Sequence, residues 1–86
     1  MPTISEFFGI LILMYYSDHA PPHFHARYGD DEALIQFSPL GLLKGELPPR
    51  ALSMVLEWAR IHQKKLSEVW NYAANNKKLQ KIPPLQ

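Results

Sequence analysis

Three of the four histidines in this chain lie within seven positions, in the segment Asp18–Gly29 with the sequence DHAPPHFHARYG. A Pro-Pro pair separates His19 from His23 and His25. Proline fixes φ and restricts the residue before it, so the pair predicts a turn that leads into an extended segment. Alternation along that segment places His23, His25 and Arg27 on one face. Two imidazoles and a guanidinium on one strand face make a candidate site.

A metal centre is one chemistry that these residues predict. His23 and His25 are two residues apart on a strand and can reach one ion, with His19 or Asp18 as a third ligand from the turn. Neutral imidazole suits zinc, nickel, copper or iron, and a third ligand plus water leaves an open position of the catalytic type. A divalent transition metal is therefore the candidate cofactor. A metal-free protein is favoured over it, because His-x-His is a weak motif.

Metal-free acid–base chemistry on RNA is the second candidate. Two histidines with unperturbed pKa values near 6.5 can act as general base and general acid. Arg27 on the same face can bind a phosphate or stabilise charge in the transition state. The predicted catalytic set is His23, His25 and Arg27, as in a small endoribonuclease. The sequence does not say which histidine has which role.

A structural interpretation competes with both and is favoured over either, because histidines fill such roles more often than catalytic ones. His19 and His23 would bond carbonyl groups of the turn, and His25 would lie on an exposed sheet face. His62 falls on the apolar face of the predicted helical segment, where a core histidine with a satisfied hydrogen bond is expected. Whether the protein is an enzyme stays open.

Composition bounds the class of protein. The chain has 86 residues, no cysteine and a hydrophobic share of 47%, which predicts one domain with one core. The absence of cysteine excludes disulfides and thiolate zinc sites and suits a reducing compartment. Its longest apolar run, Phe7–Tyr16, has ten residues, where a membrane span needs about 20. We expect a soluble, cytoplasmic protein with no membrane partner.

The formal net charge of +1 conceals an asymmetry between the two halves. Residues 1–46 carry six acids and two bases, whereas residues 47–86 carry seven bases and two acids. The balances are therefore −4 and +5. Such asymmetry marks either a surface that binds nucleic acid or a protein partner, or else a basic face exposed to solvent. The solvent-exposed basic face is favoured. The candidate surface consists of Arg60, Lys64, Lys65, Lys77 and Lys78.

Hydrophobic patterning predicts an α+β fold in which a small antiparallel sheet of three or four strands precedes a helical segment packed on one face. The strands are expected at about 7–16, 23–28 and 33–37, with 42–46 as a candidate fourth. Phe24, Ala26 and Tyr28 are expected to point into the core. Gly29 and the acids after it predict a hairpin turn.

The helical segment spans about 49–75. It begins at a Pro-Pro pair, which suits a helix start, and its apolar residues recur at steps of three and four. A single helix of that length is unusual in so small a domain, so two helices or one bent helix are expected, with the break between 60 and 65. The domain is expected to cover 1–76, followed by a basic, proline-containing tail at 77–86.

The motifs just described resemble a family of small bacterial and archaeal proteins that is classed only as a domain of unknown function. The resemblance rests on an opening Met-Pro-Thr-Ile-Ser, then Phe8–Ile10, the Asp18–His25 and Tyr28–Gly29 segments, Gly45–Leu52, Glu57–Ala59, Trp70 and Ile82–Leu85. It extends over nearly the whole chain. Genes of this family often neighbour a second small uncharacterised protein, in pairs suggested to be toxin–antitoxin-like.

That resemblance implies a protein partner but no established catalytic residue. The predicted function is therefore a small cytoplasmic accessory protein that acts with a cognate small protein, as a toxin–antitoxin-type component. The alternatives are an endoribonuclease or metal-dependent hydrolase at the His23/His25/Arg27 face, and a nucleic-acid-binding module. Oligomeric state is not predicted.

Overall fold

The computed structural model describes residues 3–16 and 18–86. Met1 and Pro2, at the predicted start of the domain, and Ser17, in the predicted connection, lie outside the described residues. In chain order the elements are β1 Thr3–Phe7, β2 Ile10–Leu13, β3 His23–Tyr28, β4 Asp31–Phe37, β5 Leu40–Gly45, α1 Pro49–Ile61 and α2 Gln63–Ala74. The predicted α+β class is confirmed. The strand count is higher than predicted.

The apolar run at 7–16 is not one strand, and this part of the prediction was wrong. The chain reverses at Phe8 and Gly9, and β1 and β2 pair as an antiparallel hairpin. Both turn residues have positive φ, 51° and 79°, as the central positions of a type I′ turn require. The prediction missed the turn because Phe8 is apolar and continues the hydrophobic run, whereas Asn or Gly is the usual residue there.

The five strands form one antiparallel sheet in the order β1-β2-β3-β4-β5. Each strand pairs with the next along the chain, so every connection is local. β4 begins at Asp31, two residues before the prediction, and β5 covers 40–45 instead of 42–46. The β3–β4 register places Arg27 opposite Glu32 and His25 opposite Leu34.

The helical segment is two helices, which is one of the two alternatives that the sequence left open. α1 ends and α2 begins around His62, whose φ of −111° and ψ of 24° depart from helical values. The backbone N–H of His62 still donates to the carbonyl of Trp58 at 3.1 Å. The break lies inside the polar stretch 60–65, and it lets both helices cover the same side of the sheet.

The core lies between the helices and one face of the sheet. Phe24 and Ala26 of β3 point into it, as predicted, and Trp58 of α1 packs edge-on against Phe24 with ring centroids 5.6 Å apart. Tyr28 does not follow the prediction: it lies at the end of β3 and is 40% exposed. Leu13 is buried but lies outside this core cluster, in register with His25.

The segment after α2 is non-helical and packs on the domain. The backbone N–H of Ile82 donates to the carbonyl of Ile4 at 2.8 Å, next to the outer edge of β1. The indole N–H of Trp58 donates to the carbonyl of Pro83, also at 2.8 Å. These bonds, with the burial of Ile82 in the core, connect the sheet edge to α1. Neither helix, in the part of the chain that is described, has the length and hydrophobicity to cross a membrane.

Candidate functional site

The candidate site lies along one face of β3 and on the connection that precedes this strand. Because β3 alternates, Phe24 and Ala26 enter the core while His23, His25 and Arg27 point to the other face. His23 is buried, and the other two side chains are partly exposed. The structure therefore places the three predicted catalytic residues on one face, along a single strand.

Asp18 joins the two histidines. It lies on the connection between β2 and β3, and its Oδ2 atom is 3.0 Å from Nε2 of His23 and 3.3 Å from Nε2 of His25. The imidazole centroids are 5.4 Å apart. One carboxylate oxygen thus contacts the Nε2 atom of each ring.

The other nitrogen of each ring faces an acceptor as well. Nδ1 of His23 lies 2.8 Å from the carbonyl oxygen of Pro21, and Nδ1 of His25 lies 3.1 Å from Oε2 of Glu32. A carbonyl or carboxylate oxygen only accepts, so each Nδ1 must carry the proton that it donates. Each Nε2 is then left either to carry a second proton toward Asp18 or to offer a lone pair.

The Asp18 carboxyl has a lowered pKa. Its partial burial acts to raise the pKa, but hydrogen bonds from the backbone N–H of His19 and from His25, together with the charges of His23 and His25, lower it below the ordinary value of 3.8. The backbone N–H of His19 donates to Oδ1 of Asp18 at 2.8 Å. Asp18 is therefore held as a carboxylate that faces two imidazoles.

A second group of side chains borders the cluster. Nε of Arg27 lies 3.6 Å from the same Glu32 oxygen that contacts His25, and its Nη2 donates to the Tyr15 hydroxyl at 3.4 Å. The Tyr15 ring packs edge-on against His25 with centroids 4.5 Å apart. Trp70 of α2 packs against His23 at 5.5 Å. These contacts restrict the orientation of both imidazoles.

The predicted residues are not all brought together. Asp18, His23 and His25 form a group whose potential ligand atoms lie within 4.8 Å of one another. The exposed His19 is not a member, since only its backbone contacts Asp18. His62 packs against Trp58 at 5.6 Å, on the helical side of the sheet.

Glu32 and Tyr15 are the site residues that sequence reasoning missed. The sequence placed Glu32 among the acids of the predicted hairpin turn, yet the hairpin register places it opposite Arg27 and diagonal to His25. A hairpin predicted with Gly29 and Asp30 as its two turn residues would have paired Glu32 with Arg27. Tyr15 lies beyond the end of β2, on a connection whose path the sequence does not determine.

The predicted basic surface lies on other elements. Arg60 and Lys64 are exposed on the helices, and Lys77 and Lys78 are exposed after α2. Lys65 is partly buried, with its ammonium 3.7 Å from Glu68 and in contact with the Gln80 side chain. The basic residues thus lie on α1, on α2 and after α2, whereas the histidine site lies on β3 and the connection before it.

The donor set fits a transition metal better than it fits calcium or magnesium. Two imidazole nitrogens and one carboxylate oxygen suit zinc and its neighbours, whereas the hard cations prefer all-oxygen sites. The Nδ1 contacts match the usual surroundings of ligating histidines, whose second nitrogen donates to a carbonyl or carboxylate. No enclosed cavity is found in the described ranges, 3–16 and 18–86. The side chain of His23 is 6% exposed and those of His25 and Asp18 are 16% and 21% exposed, so the cluster meets solvent mainly through Asp18 and His25.

Comparison with known proteins gives a family but no activity. Neither the curated proteins nor the solved structures contain a match to this chain. The family model described as a domain of unknown function, DUF4160, matches residues 9–71. That range covers well over half of the chain and includes α1, most of the sheet and every residue of the histidine cluster. The chain therefore belongs to the DUF4160 family of domains of unknown function.

Proposed function

We propose that this protein binds one divalent transition-metal ion through Asp18, His23 and His25 and uses it for hydrolysis. The observation that carries the proposal is the convergence of two Nε2 atoms on a single oxygen, Oδ2 of Asp18, at 3.0 and 3.3 Å. A cation among these three atoms would receive two lone pairs and a negative charge. Zinc is the ion that this donor set favours.

The hydrogen-bond pattern around the rings supports the proposal. Without a cation, each imidazole donates from both nitrogens only when it is doubly protonated, which would place two positive rings 5.4 Å apart. A divalent ion replaces the two Nε2 protons and leaves both Nδ1–H bonds, to Pro21 and Glu32, unchanged. One bound cation thus satisfies every polar contact of the two rings.

The charge distribution also favours a cation at this face. The first 46 residues, which include all five described strands, carry a net charge of −4. Asp18 and Glu32 both contact His25, so two of the six acids lie at the site. Such a field attracts a metal ion and disfavours a polyanion.

Three protein ligands leave a coordination position for water, which is the arrangement of catalytic zinc sites. Metal coordination lowers the pKa of that water and makes it a nucleophile near neutral pH. Arg27, half-exposed beside the cluster, is placed to hold an anionic group of a substrate.

Metal binding is tested first, with untagged protein and isothermal titration of zinc. We expect one zinc per chain, and a loss of affinity of at least about 100-fold for Asp18→Ala, His23→Ala and His25→Ala, since each removes one of three ligands. His19→Ala is the matched control, because that histidine lies beside the cluster without its side chain joining it. The zinc affinity of His19→Ala should stay within about threefold of that of the unmodified protein.

Hydrolysis is tested next with zinc-loaded protein on activated carboxyl esters and phosphodiesters. Rates that depend on zinc and disappear in His25→Ala would support the catalytic half of the proposal. Failure of the unmodified protein to bind zinc stoichiometrically would refute the proposal entirely. Zinc binding without hydrolysis of either class would refute only the catalytic half.

Metal-free cleavage of RNA by His23, His25 and Arg27 uses the same side chains and is the direct competitor. A chelator distinguishes the two: RNA cleavage that persists in excess chelator and disappears in His23→Ala would favour acid–base chemistry. RNA binding through Arg60 and the exposed lysines would instead weaken steeply as salt rises.

A second candidate function, docking of a cognate protein as in a toxin–antitoxin-type pair, is favoured by one specific observation. Phe8 and Tyr28 are 61% and 40% exposed at neighbouring hairpin turns, and Tyr28 lies close to the backbone of Gly9. Exposed aromatic residues are typical anchors of protein interfaces. If this candidate holds, Phe8→Asn should abolish binding of the cognate small protein and leave zinc affinity unchanged.

A further inference from the structure

We infer that Glu32 is a positioning residue of this metal centre, which sets the metal affinity by orienting His25 without itself contacting the ion. The inference rests on the proposed function. It concerns the hydrogen bond between Nδ1 of His25 and a side chain, whereas the corresponding hydrogen bond of His23 is with a backbone carbonyl. Substitution can therefore change the surroundings of His25 and leave those of His23 intact.

The geometry assigns Glu32 two simultaneous partners. Its Oε2 atom lies 3.1 Å from Nδ1 of His25 and 3.6 Å from Nε of Arg27. The first contact fixes the tautomer in which Nδ1 carries the proton and Nε2 offers its lone pair to the ion. Because the partner is a carboxylate, it also makes the imidazole a stronger ligand than a neutral acceptor would.

The sheet register holds Glu32 in this place. Arg27 and Glu32 are paired across the β3–β4 hairpin, and His25 is the next residue of β3 on the same face. The backbone carbonyl of Glu32 accepts from the N–H of Glu46 at 3.2 Å, so its main chain is bonded on the β5 side. Asp31, one residue before Glu32, lies on the other face of β4 and is exposed.

The test compares Glu32→Ala, Glu32→Gln and the control Asp31→Asn by zinc titration at constant pH. Loss of the outer carboxylate of a ligating histidine lowers metal affinity by about 10- to 100-fold, and we expect this for Glu32→Ala. Glu32→Gln keeps an acceptor but not the charge, so its loss should be smaller. Asp31→Asn removes one negative charge at the adjacent position and should remain within about twofold of the unmodified protein.

A spectroscopic measurement separates orientation of His25 from general damage to the fold. With cobalt(II) at saturation, the visible absorption bands should change in Glu32→Ala, because His25 turns relative to the ion, and should coincide with the unmodified bands in Asp31→Asn. Thermal unfolding of each metal-free variant verifies that the proteins compared are folded.

Two results would overturn the inference while leaving the metal centre standing. One is a Glu32→Ala protein whose zinc affinity and cobalt spectrum match those of the unmodified chain. The other is an Asp31→Asn protein that loses as much affinity as Glu32→Ala, which would reduce the effect to net charge. Absence of zinc binding in the unmodified protein would instead refute the centre itself.

Discussion

His23 and Asp18 close a loop of six residues, 18–23, through a contact of 3.0 Å between Nε2 and Oδ2. Two consecutive prolines lie inside this loop. The same histidine bonds the carbonyl of Pro21 through its other nitrogen. The connection from β2 to β3 is thus attached to the sheet face by the residues that form the candidate site, so stability of the connection and integrity of the site depend on the same contacts.

Asp18→Asn should destabilise the metal-free protein by about 1 to 2 kcal/mol at about pH 5, because it removes a carboxylate that accepts hydrogen bonds from charged groups. The pKa of Asp18 is lower in the folded protein than its ordinary value of 3.8. Stability from a lowered pKa is present above the unfolded value and is lost as pH falls through the folded one. The difference between variant and unmodified protein should therefore shrink below about pH 4.

Urea unfolding in the presence of a chelator, repeated across this pH range, measures that difference. Asp30→Asn in the exposed turn is the control for a change of net charge. A difference for Asp18→Asn that grows as the solution is acidified would have the wrong sign and would contradict the assignment.

Gly45→Ala should destabilise the protein by more than about 2 kcal/mol, because two costs add there. The residue has φ of +78°, and a Cβ atom on it would overlap the carbonyl oxygen of Glu32. Gly41→Ala on the same strand is the matched control, since its Cβ would only come within 3.8 Å of the Gln36 amide. Equal unfolding free energies for the two variants would show that the end of β5 adjusts freely.

Phe8→Asn should stabilise the free protein by about 0.5 to 1 kcal/mol, since Asn adopts positive φ at lower cost than Phe. Phe8 has φ of 51° and is 61% exposed, so little burial is lost. Phe8→Ala tests the interpretation, because it removes the ring without supplying a residue suited to the turn, and no gain is expected. A lower urea midpoint for Phe8→Asn would mean that the ring contributes packing that outweighs the backbone cost.

The contrast between Phe8 and His23 explains how much of this fold could be predicted. The alternation of β3 is a local property, so the shared face of His23, His25 and Arg27 followed from the sequence. The β1–β2 turn did not follow from the sequence, because Phe8 occupies a position of positive φ. Asn or Gly is the usual residue at such a position. The break at His62 falls within the expected range of 60–65, but the apolar helical face continues through it, so the sequence left both a bent helix and two helices open.

Only some members of the site could be predicted, because the others come from parts of the chain that only the tertiary structure brings together. His19 and Asp18 were equal candidates for a third ligand, and the path of the Pro-Pro turn decides in favour of Asp18. Glu32 joins the site through strand register, and Tyr15 through the course of an irregular connection. Both depend on tertiary structure that adjacent residues do not encode.

Zinc should raise the thermal unfolding midpoint of the metal-free protein. Asp18 and the two histidines meet only in the folded chain, so an ion bound among them stabilises the native state by about 2.7 kcal/mol at 100 times its Kd. In a domain of this size each kcal/mol shifts the midpoint by about 4 to 8 °C, which gives about 10 to 20 °C in total.

Scanning calorimetry with zinc, magnesium and chelator makes the zinc prediction specific. Magnesium should leave the midpoint almost unchanged, because it prefers an octahedral shell of oxygen ligands and two of the three donors here are imidazole nitrogens. His25→Ala should unfold at the same temperature with and without zinc, and chelator should reverse the shift in the unmodified protein. An equal shift with magnesium would indicate that cations merely screen the acidic half of the chain, since a centre built from His23 and His25 must distinguish the two ions.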